Sequence, residues 1–345
     1  NGIKILRVPL IPRKKGKLNL IVNYLSFTIN ATIFGLIKLR KKKYDLIFVF
    51  QTSPILVGIP SSIISRVKKI PQIFWVLDIW PETLISVGFK NKYLLYFTKL
   101  LVKIIYKNCN LILGQSRSFV NSIKCYEGLK KIEYFPAWSE INFNVLNEMK
   151  AKEIKIKDDI FNLMFAGNIG EAQDFPSILS AMEILSNKDI KNFRLLIVGE
   201  GSKKDWLIKQ IKIKKLNHII EVFQKYPLEK MPSIFAHADC LLVSLKDEIA
   251  YNMTIPGKIQ TYLSTGIPII GMLNGEGSKV IKESGAGLSC GSGDSLKLSE
   301  LIITLMKKDS LSLEIMGHKG IEYSKKEFDK KTLIKKLNGF FRMLS

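Results

Sequence analysis

Apolar residues fall along this chain in two rhythms. Short runs rich in β-branched and aromatic residues begin at Leu46: LIFVF (46–50), QIFWVLD (72–78), NLILG (110–114) and IEYFP (132–136). They alternate with stretches of helical period such as NKYLLYFTKLLVKIIYK (91–107). A second series follows with FNLMFAG (161–167), FRLLIVG (193–199), IIEVF (219–223), CLLVSL (240–245) and IPIIG (267–271). Near-continuous apolar strands separated by helices predict a parallel sheet covered on both faces, and two series predict two doubly wound α/β domains. The polar, strandless segment 137–160 reads as the linker. This gives a first domain over 1–150, a second over 151–325, and a C-terminal helix over 326–345 that is a candidate to return to the first domain.

Residues 18–37 fit neither series. They carry no charge over 20 positions, long enough to cross a bilayer. However, Asn19, Asn23, Ser26 and Asn30 share one helical face, a polar stripe that predicts a helix lying at an interface. Arg13, Lys14, Lys15 and Lys17 precede it, and Lys38, Arg40, Lys41, Lys42 and Lys43 follow. Basic ends beside an apolar face suit an anionic membrane surface. The alternative is a helix packed on its own domain with solvated ends.

Composition sharpens this picture. At 345 residues with 47% hydrophobic and 24% charged residues, the chain is globular and long enough for two cores. The net charge of +23 is unevenly spread: residues 1–150 hold 24 Lys and Arg against 7 Asp and Glu, the remainder 29 against 23. Only seven of the 53 basic residues are Arg, so part of the excess is compositional drift towards Lys. Drift alone does not favour one half, and a basic first half attracts anionic partners. No nucleic-acid recognition motif accompanies the charge, which argues against a nucleic-acid partner. Cys109, Cys125, Cys240 and Cys290 lie far apart near apolar stretches and read as buried thiols of a reducing cytoplasm. His218, His237 and His318 are isolated, so neither set has metal-site spacing. The sequence opens at Asn1 with no Met and no signal peptide, as a fragment of a longer protein would.

Ligands of open parallel sheets bind beyond the carboxyl ends of the strands, so candidate chemistry lies in the loops there. AGNIGEAQDF (166–175) brings Gly167 and Gly170 to the end of a strand, ahead of a helix beginning near Asp174. VGEGSKKDW (198–206) places Glu200 between two glycines, with Lys203 and Lys204 at the following helix start. IPGKIQTYLSTGIPIIG (255–271) opens a helix with Pro256, lets a ligand approach at Gly257, offers Lys258 to phosphate charge, and turns Tyr262 and Leu263 inward. Each alone has a bland reading as a capped turn. Three phosphate-competent loops on one sheet edge form a stronger pattern.

FAGNIGEAQ, LLIVGEG, SLKDE…TIPGKIQTYLSTGIPII and WVLDIWPET (75–83) together resemble bacterial "group 1" glycosyltransferases of the GT-B type, close to the fucosamine transferase-like group of O-antigen and capsule synthesis. The resemblance covers about residues 5–340. It implies two Rossmann-like domains facing a central cleft, a nucleotide-sugar donor in the second, an acceptor in the first, and retaining transfer with neither metal nor other cofactor. It also implies that an initial βαβ portion is missing here.

Residue by residue, the resemblance assigns Gly167, Asn168, Gly170 and Glu171 to the donor loop, Glu200 and Gly201 to the neighbourhood of the nucleoside, and Tyr226 and Pro227 to the base. It sets Gly257 and Lys258 beside the diphosphate. Many members carry a ribose-binding Glu where this chain has Thr261. Either Thr261 or Gln260 replaces that carboxylate as a neutral hydrogen-bonding group, or the ribose contact is lost. Glu248 falls near the first carboxylate of a paired family motif and is a catalytic candidate; a solvated loop Glu is the alternative. On the acceptor side stand Asp78, Trp80 and Glu82, with Asp78 orienting the attacking hydroxyl and Trp80 stacking on a sugar. The alternative for Asp78 is a cap on the next turn.

The expected protein is a retaining hexosyl- or N-acetylaminosugar transferase, peripheral on the cytoplasmic face of the plasma membrane. Its expected donor is a nucleotide sugar, UDP-linked by preference, and its acceptor a polyprenyl-diphosphate-linked saccharide. A nucleotide-sugar 2-epimerase and a non-catalytic, lipid-bound partner of the same fold are the competing expectations.

Overall fold

The computed structural model describes residues 2–13, 16–126, 128–139, 149–154, 160–188, 190 and 192–344. Lys14 and Lys15, and residues 140–148 and 155–159 of the expected linker, lie outside the described residues. The chain divides into two compact units, one formed by Asn1–Phe135 with Ile334–Ser345, the other by Pro136–Leu333.

The first unit is built on a parallel sheet in the order β1 (Ile47–Gln51), β2 (Gln72–Val76), β3 (Leu111–Gly114), β4 (Ile132–Tyr134). Every residue of β2 and β3 is buried, as expected for strands covered on both faces. The Trp75 indole donates to the Phe135 carbonyl at 3.0 Å, tying β2 to the chain that leaves β4. The C-terminal helix runs Lys330–Leu344. Phe341 meets Phe48 edge-on and the Lys336 ammonium donates to the Tyr134 carbonyl. The unit boundary thus falls at 135/136 rather than at 150/151. Ala151 already donates its N–H to the Ser233 carbonyl of the second unit.

The long N-terminal helix, Lys17–Leu39, departs from expectation in how its faces are used. Its polar stripe is taken up by the chain's own backbone. Asn23 donates to the Ile11 carbonyl at 2.6 Å, the Ser26 hydroxyl accepts from the Ile11 N–H, and Asn30 donates to the Pro9 carbonyl at 2.8 Å. The face left open is apolar: Leu18, Val22, Leu25, Ile29, Ile33 and Ile37 are exposed. Gly35 on the packed side lies against Ile64 of the helix Gly58–Lys68, and the Lys68 ammonium caps the carbonyls of Leu39, Arg40 and Lys42. By length and composition alone, Leu18–Leu39 would also span a membrane.

The second unit carries a six-stranded parallel sheet in the order β10-β9-β8-β5-β6-β7, from β5 (Phe161–Ala166), β6 (Phe193–Val198), β7 (Ile220–Phe223), β8 (Cys240–Ser244), β9 (Ile269–Met272) and β10 (Gly287–Cys290). Strand order reverses between β5 and β8, the switch point at which doubly wound sheets open a crevice beyond their strand ends. Apolar side chains fill both faces: Leu163, Phe165 and Phe175 on one, Met164, Leu196 and Tyr262 on the other. The sequence pattern missed β10, whose Gly-Leu-Ser-Cys has little strand propensity. It is admitted at the edge because Gly287, lacking a Cβ, sits flush against the Ile269 carbonyl. Cys125 is exposed, unlike the other three thiols.

If the side-chain amides of Asn23 and Asn30 hold residues 9–11 against the helix, the double variant Asn23→Ala/Asn30→Ala loses two side-chain-to-backbone bonds worth about 1 kcal/mol each. Limited trypsinolysis should then cut after Arg7 and Arg13 several-fold faster than in the parent; an unchanged rate would show that other contacts hold the segment.

Candidate functional site

Two loops create the site by touching through their backbones. Gly167 after β5 donates its N–H to the Val198 carbonyl, Ile169 donates to the Glu200 carbonyl at 2.8 Å, and Lys203 donates back to Ile169. Gly199 and Gly201, both at φ +157, lie so close to the Gly167 and Ile169 backbones that a Cβ at either would collide with a carbonyl oxygen. Glycine is required here because backbone meets backbone.

The third wall is the helix Gly257–Leu263. The Tyr262 hydroxyl both accepts from the Ala166 N–H and donates to the Ala166 carbonyl, each at 3.0 Å, which pins this helix to the end of β5. Tyr262 and Leu263 are buried, as the sequence predicts. Gly167 holds a φ of +132 that side-chain-bearing residues rarely adopt, and a Cβ there would press on the end of the Lys258 side chain.

These walls enclose a cavity of about 850 Å³, large enough for a nucleotide-sized ligand. Its charged centre is Lys258. The Lys258 Nζ is buried, has no hydrogen-bond partner among the described residues, and lies 3.3 Å from the centroid of the Phe165 ring. Burial alone pushes its pKa down to about 7. An ammonium with no counter-charge in a ligand-sized cavity is a site prepared for an anion.

A family model described as glycosyl transferases group 1 matches residues 147–327, more than half of the chain. The chain belongs to this family. It is 25% identical over 263 residues to the probable glycosyltransferase WbjE of Pseudomonas aeruginosa, covering 69% of this chain and 61% of that protein. It is 26% identical over 157 residues to the putative colanic acid biosynthesis glycosyl transferase WcaI of Escherichia coli, covering 44% of this chain and 37% of that one. The chain thus spans less than two thirds of the length of either relative. Among solved structures, sucrose-phosphate synthase from Thermosynechococcus elongatus matches with a TM-score of 0.75 at 14% identity, covering 96% of this chain and 80% of that one. WaaG, a glycosyltransferase involved in lipopolysaccharide biosynthesis, matches at 0.69 and 12% identity, with 97% and 85% covered. Anabaena HepE in complex with UDP and glucose matches at 0.67 and 14% identity, with 95% and 83% covered. These likenesses identify the fold as GT-B.

Of the donor residues expected from sequence, Gly167, Asn168, Glu200, Gly201, Tyr226, Pro227, Gly257, Lys258 and Thr261 line the cavity. Gly170 and Glu171 do not. The Gly170 N–H is spent on the Gln173 side chain, and Glu171 points outward to Lys203 and Lys246, whose ammonium groups hold its carboxyl down to about 2. Glu248 is not in the wall either; it is the N-cap residue of the helix Ile249–Met253. Gln260, one of the two residues expected to stand in for the ribose carboxylate, is buried and absent from the wall, with its Nε2 unpartnered. Sequence reasoning missed Lys225, Leu228, Met231 and Phe235, which extend the Tyr226-Pro227 wall. Their signal was the continuation of QKYPLEKMPSIF into a helix whose apolar positions face the same side.

In the first unit, Asp78 follows β2 and its two oxygens are occupied: Oδ2 accepts from the Trp80 indole at 2.8 Å and Oδ1 from the Thr83 hydroxyl at 2.5 Å. Burial raises its pKa against these bonds. The carboxylate thereby braces the turn into the helix Glu82–Ser86, and each oxygen keeps further acceptor capacity. Glu82 Oε1 accepts from Ser122, while Oε2 is buried and unpartnered.

The depressed pKa of Lys258 fixes the sign of a pH effect. Between about 7 and the ordinary lysine value of 10.5, the unfolded chain carries a proton at Lys258 that the folded chain has lost. The contribution of Lys258 to stability therefore rises with pH across that window and is least favourable below it. Urea unfolding of the parent and Lys258→Met at about pH 7 and about pH 9 should show the variant's advantage shrinking at the higher pH. A pH-independent difference would mean that the ammonium is solvated.

Proposed function

We propose that this chain is a retaining glycosyltransferase that moves a hexosyl or N-acetylaminosugar unit from a nucleoside-diphosphate sugar to a polyprenyl-diphosphate-linked saccharide in surface polysaccharide synthesis. The observation that carries this reading is the buried, unpartnered Lys258 ammonium in a cavity at the carboxyl ends of β5 and β6. A donor diphosphate would supply the missing counter-charge. As the glycosidic bond to the diphosphate breaks, negative charge grows on the leaving oxygen, and a fixed ammonium stabilises that change without reorganising. The same lysine carries the charge for which a divalent ion would otherwise be needed, so transfer proceeds in EDTA. Uridine is the favoured base, supported by the UDP in the similarly folded HepE. On the acceptor side, Asp78, Trp80 and Glu82 are the groups proposed to meet the attacking saccharide, with Asp78 orienting its hydroxyl.

A lipid-linked acceptor calls for a membrane surface, and the helix Lys92–Lys107 supports one. Tyr93, Phe97, Leu100 and Ile104, at i, i+4, i+7 and i+11, form an exposed stripe, with Tyr93 66% and Phe97 64% accessible. Tyr96, 65% accessible, and Lys99, Lys103 and Lys107 run alongside. Aromatic rings beside lysines match the interfacial zone of an anionic bilayer. This stripe supports a peripheral position on the cytoplasmic face of the plasma membrane.

Two measurements test the reading. Thermal unfolding with UDP, GDP, dTDP and ADP in EDTA should show a shift for one base, abolished in Lys258→Met, followed by sugar transfer from the matching donor. A response to none would remove the donor site and leave the non-catalytic, lipid-bound partner as the better account. Co-sedimentation with phosphatidylglycerol vesicles should fall at least tenfold in Tyr93→Ser/Phe97→Ser and be weak on phosphatidylcholine; equal binding by parent and variant would move the membrane contact elsewhere.

A further inference from the structure

We propose that Glu200 reads the ribose of the donor nucleotide, taking over the role left open by Thr261; this rests on the donor-site reading above. The loops along the carboxyl edge of the sheet stand in a fixed order. β5, β6 and β7 are consecutive neighbours, paired through Ala166 with Val198 and Val198 with Phe223. The loops that follow them reach the cavity as Gly167-Asn168, Gly199-Glu200-Gly201 and Lys225-Tyr226-Pro227-Leu228. Lys258 contacts the first loop at Gly167, and the aromatic and apolar wall belongs to the third. A nucleoside diphosphate is itself linear, with its ribose between phosphate and base. With the diphosphate at Lys258 and the base at Tyr226, the ribose falls on the middle loop.

Glu200 is the one carboxylate among the described residues lining the cavity. A ribose presents two adjacent hydroxyl donors, and an ionised carboxylate is an acceptor-only group that can receive both. Thr261 shares the wall but offers a single short hydroxyl, and Gln260 is absent from it. Glu200 is also held in place. Its carbonyl accepts from the Ile169 N–H, the glycines on either side are pressed against the β5 loop, and Lys204 one helical turn on binds its Oε1. Oε2 has no hydrogen-bond partner among the described residues. The lysine also balances the carboxylate's charge, so an anionic group beside a diphosphate does not repel it.

Binding of UDP, GDP and ADP, each against its 2′-deoxy counterpart, decides the matter by titration calorimetry on the parent chain and on Glu200→Gln. The parent should prefer the ribonucleotide of the base it accepts by about ten- to a hundredfold, the range for a hydrogen bond to a charged group. In Glu200→Gln that preference should collapse to within about twofold, because the ribonucleotide loses more affinity than the deoxynucleotide, which keeps only one of the two hydroxyls. A general loosening of the loop would instead weaken both members of the pair equally and overturn the proposal. A parent ratio near one, or a ratio that survives the substitution, would overturn it equally. Failure of the parent to bind any of these nucleotides would overturn the donor site itself. A further substitution, Thr261→Glu in the Glu200→Gln background, should restore the preference from the other wall.

Discussion

The donor-side cavity depends on the backbone contact between the loops that follow β5 and β6. Gly199 and Gly201 let one main chain rest on another, and the three N–H bonds that cross the contact fix both loops to the ends of buried strands. A side chain at either position would force the loops apart. The cavity floor is therefore made of peptide groups whose positions follow from sheet register. Tyr262 extends the same logic to the third wall by satisfying both polar groups of Ala166 with one hydroxyl.

On this rigid frame the structure tolerates an electrostatic deficit. Lys258 is held under Phe165 and away from water with no partner among the described residues, so its charged form is disfavoured. The neighbouring lysines are treated differently. Lys203 and Lys246 share Glu171, and Lys204 holds Glu200, all in solvent-accessible pairs that contribute little to stability. These surface lysines are paired with carboxylates, whereas the buried Lys258 ammonium has no counter-ion among the described residues. That contrast separates Lys258 from a solvated basic face, which composition and net charge alone cannot do.

Much of this was legible in the sequence, because the forces that make parallel strands are written in consecutive residues. The runs at 73–76 and 111–114 are apolar throughout and are buried throughout. What failed was whatever depended on a partner distant in the chain. The glycine- and serine-rich β10 is a strand only because Ile269 waits beside it. The stripe of Asn23, Ser26 and Asn30 predicted a helix lying at an interface, yet its partners are the carbonyl and amide groups of Pro9 and Ile11, supplied by an extended segment with no pattern of its own. Gly170 and Glu171 belong to the right motif, but a two-residue advance along the loop turns them from the cavity to Gln173 and to two lysines.

Position 261 shows why a motif and a site are different objects. A motif fixes which residue stands at a given step of the chain, whereas a ligand encounters whatever groups the fold brings to one surface. The carboxylate expected on the helix Gly257–Leu263 is absent, while the opposite loop presents one between two obligatory glycines. Those glycines were needed for the loop contact whatever stands between them. Once the backbone is pinned there, an acidic side chain at residue 200 starts from a fixed Cα and needs only the single restraint of Lys204 to be directed. A carboxylate can therefore change walls at little cost in positioning, because the precision resides in the backbone contact rather than in the residue that uses it.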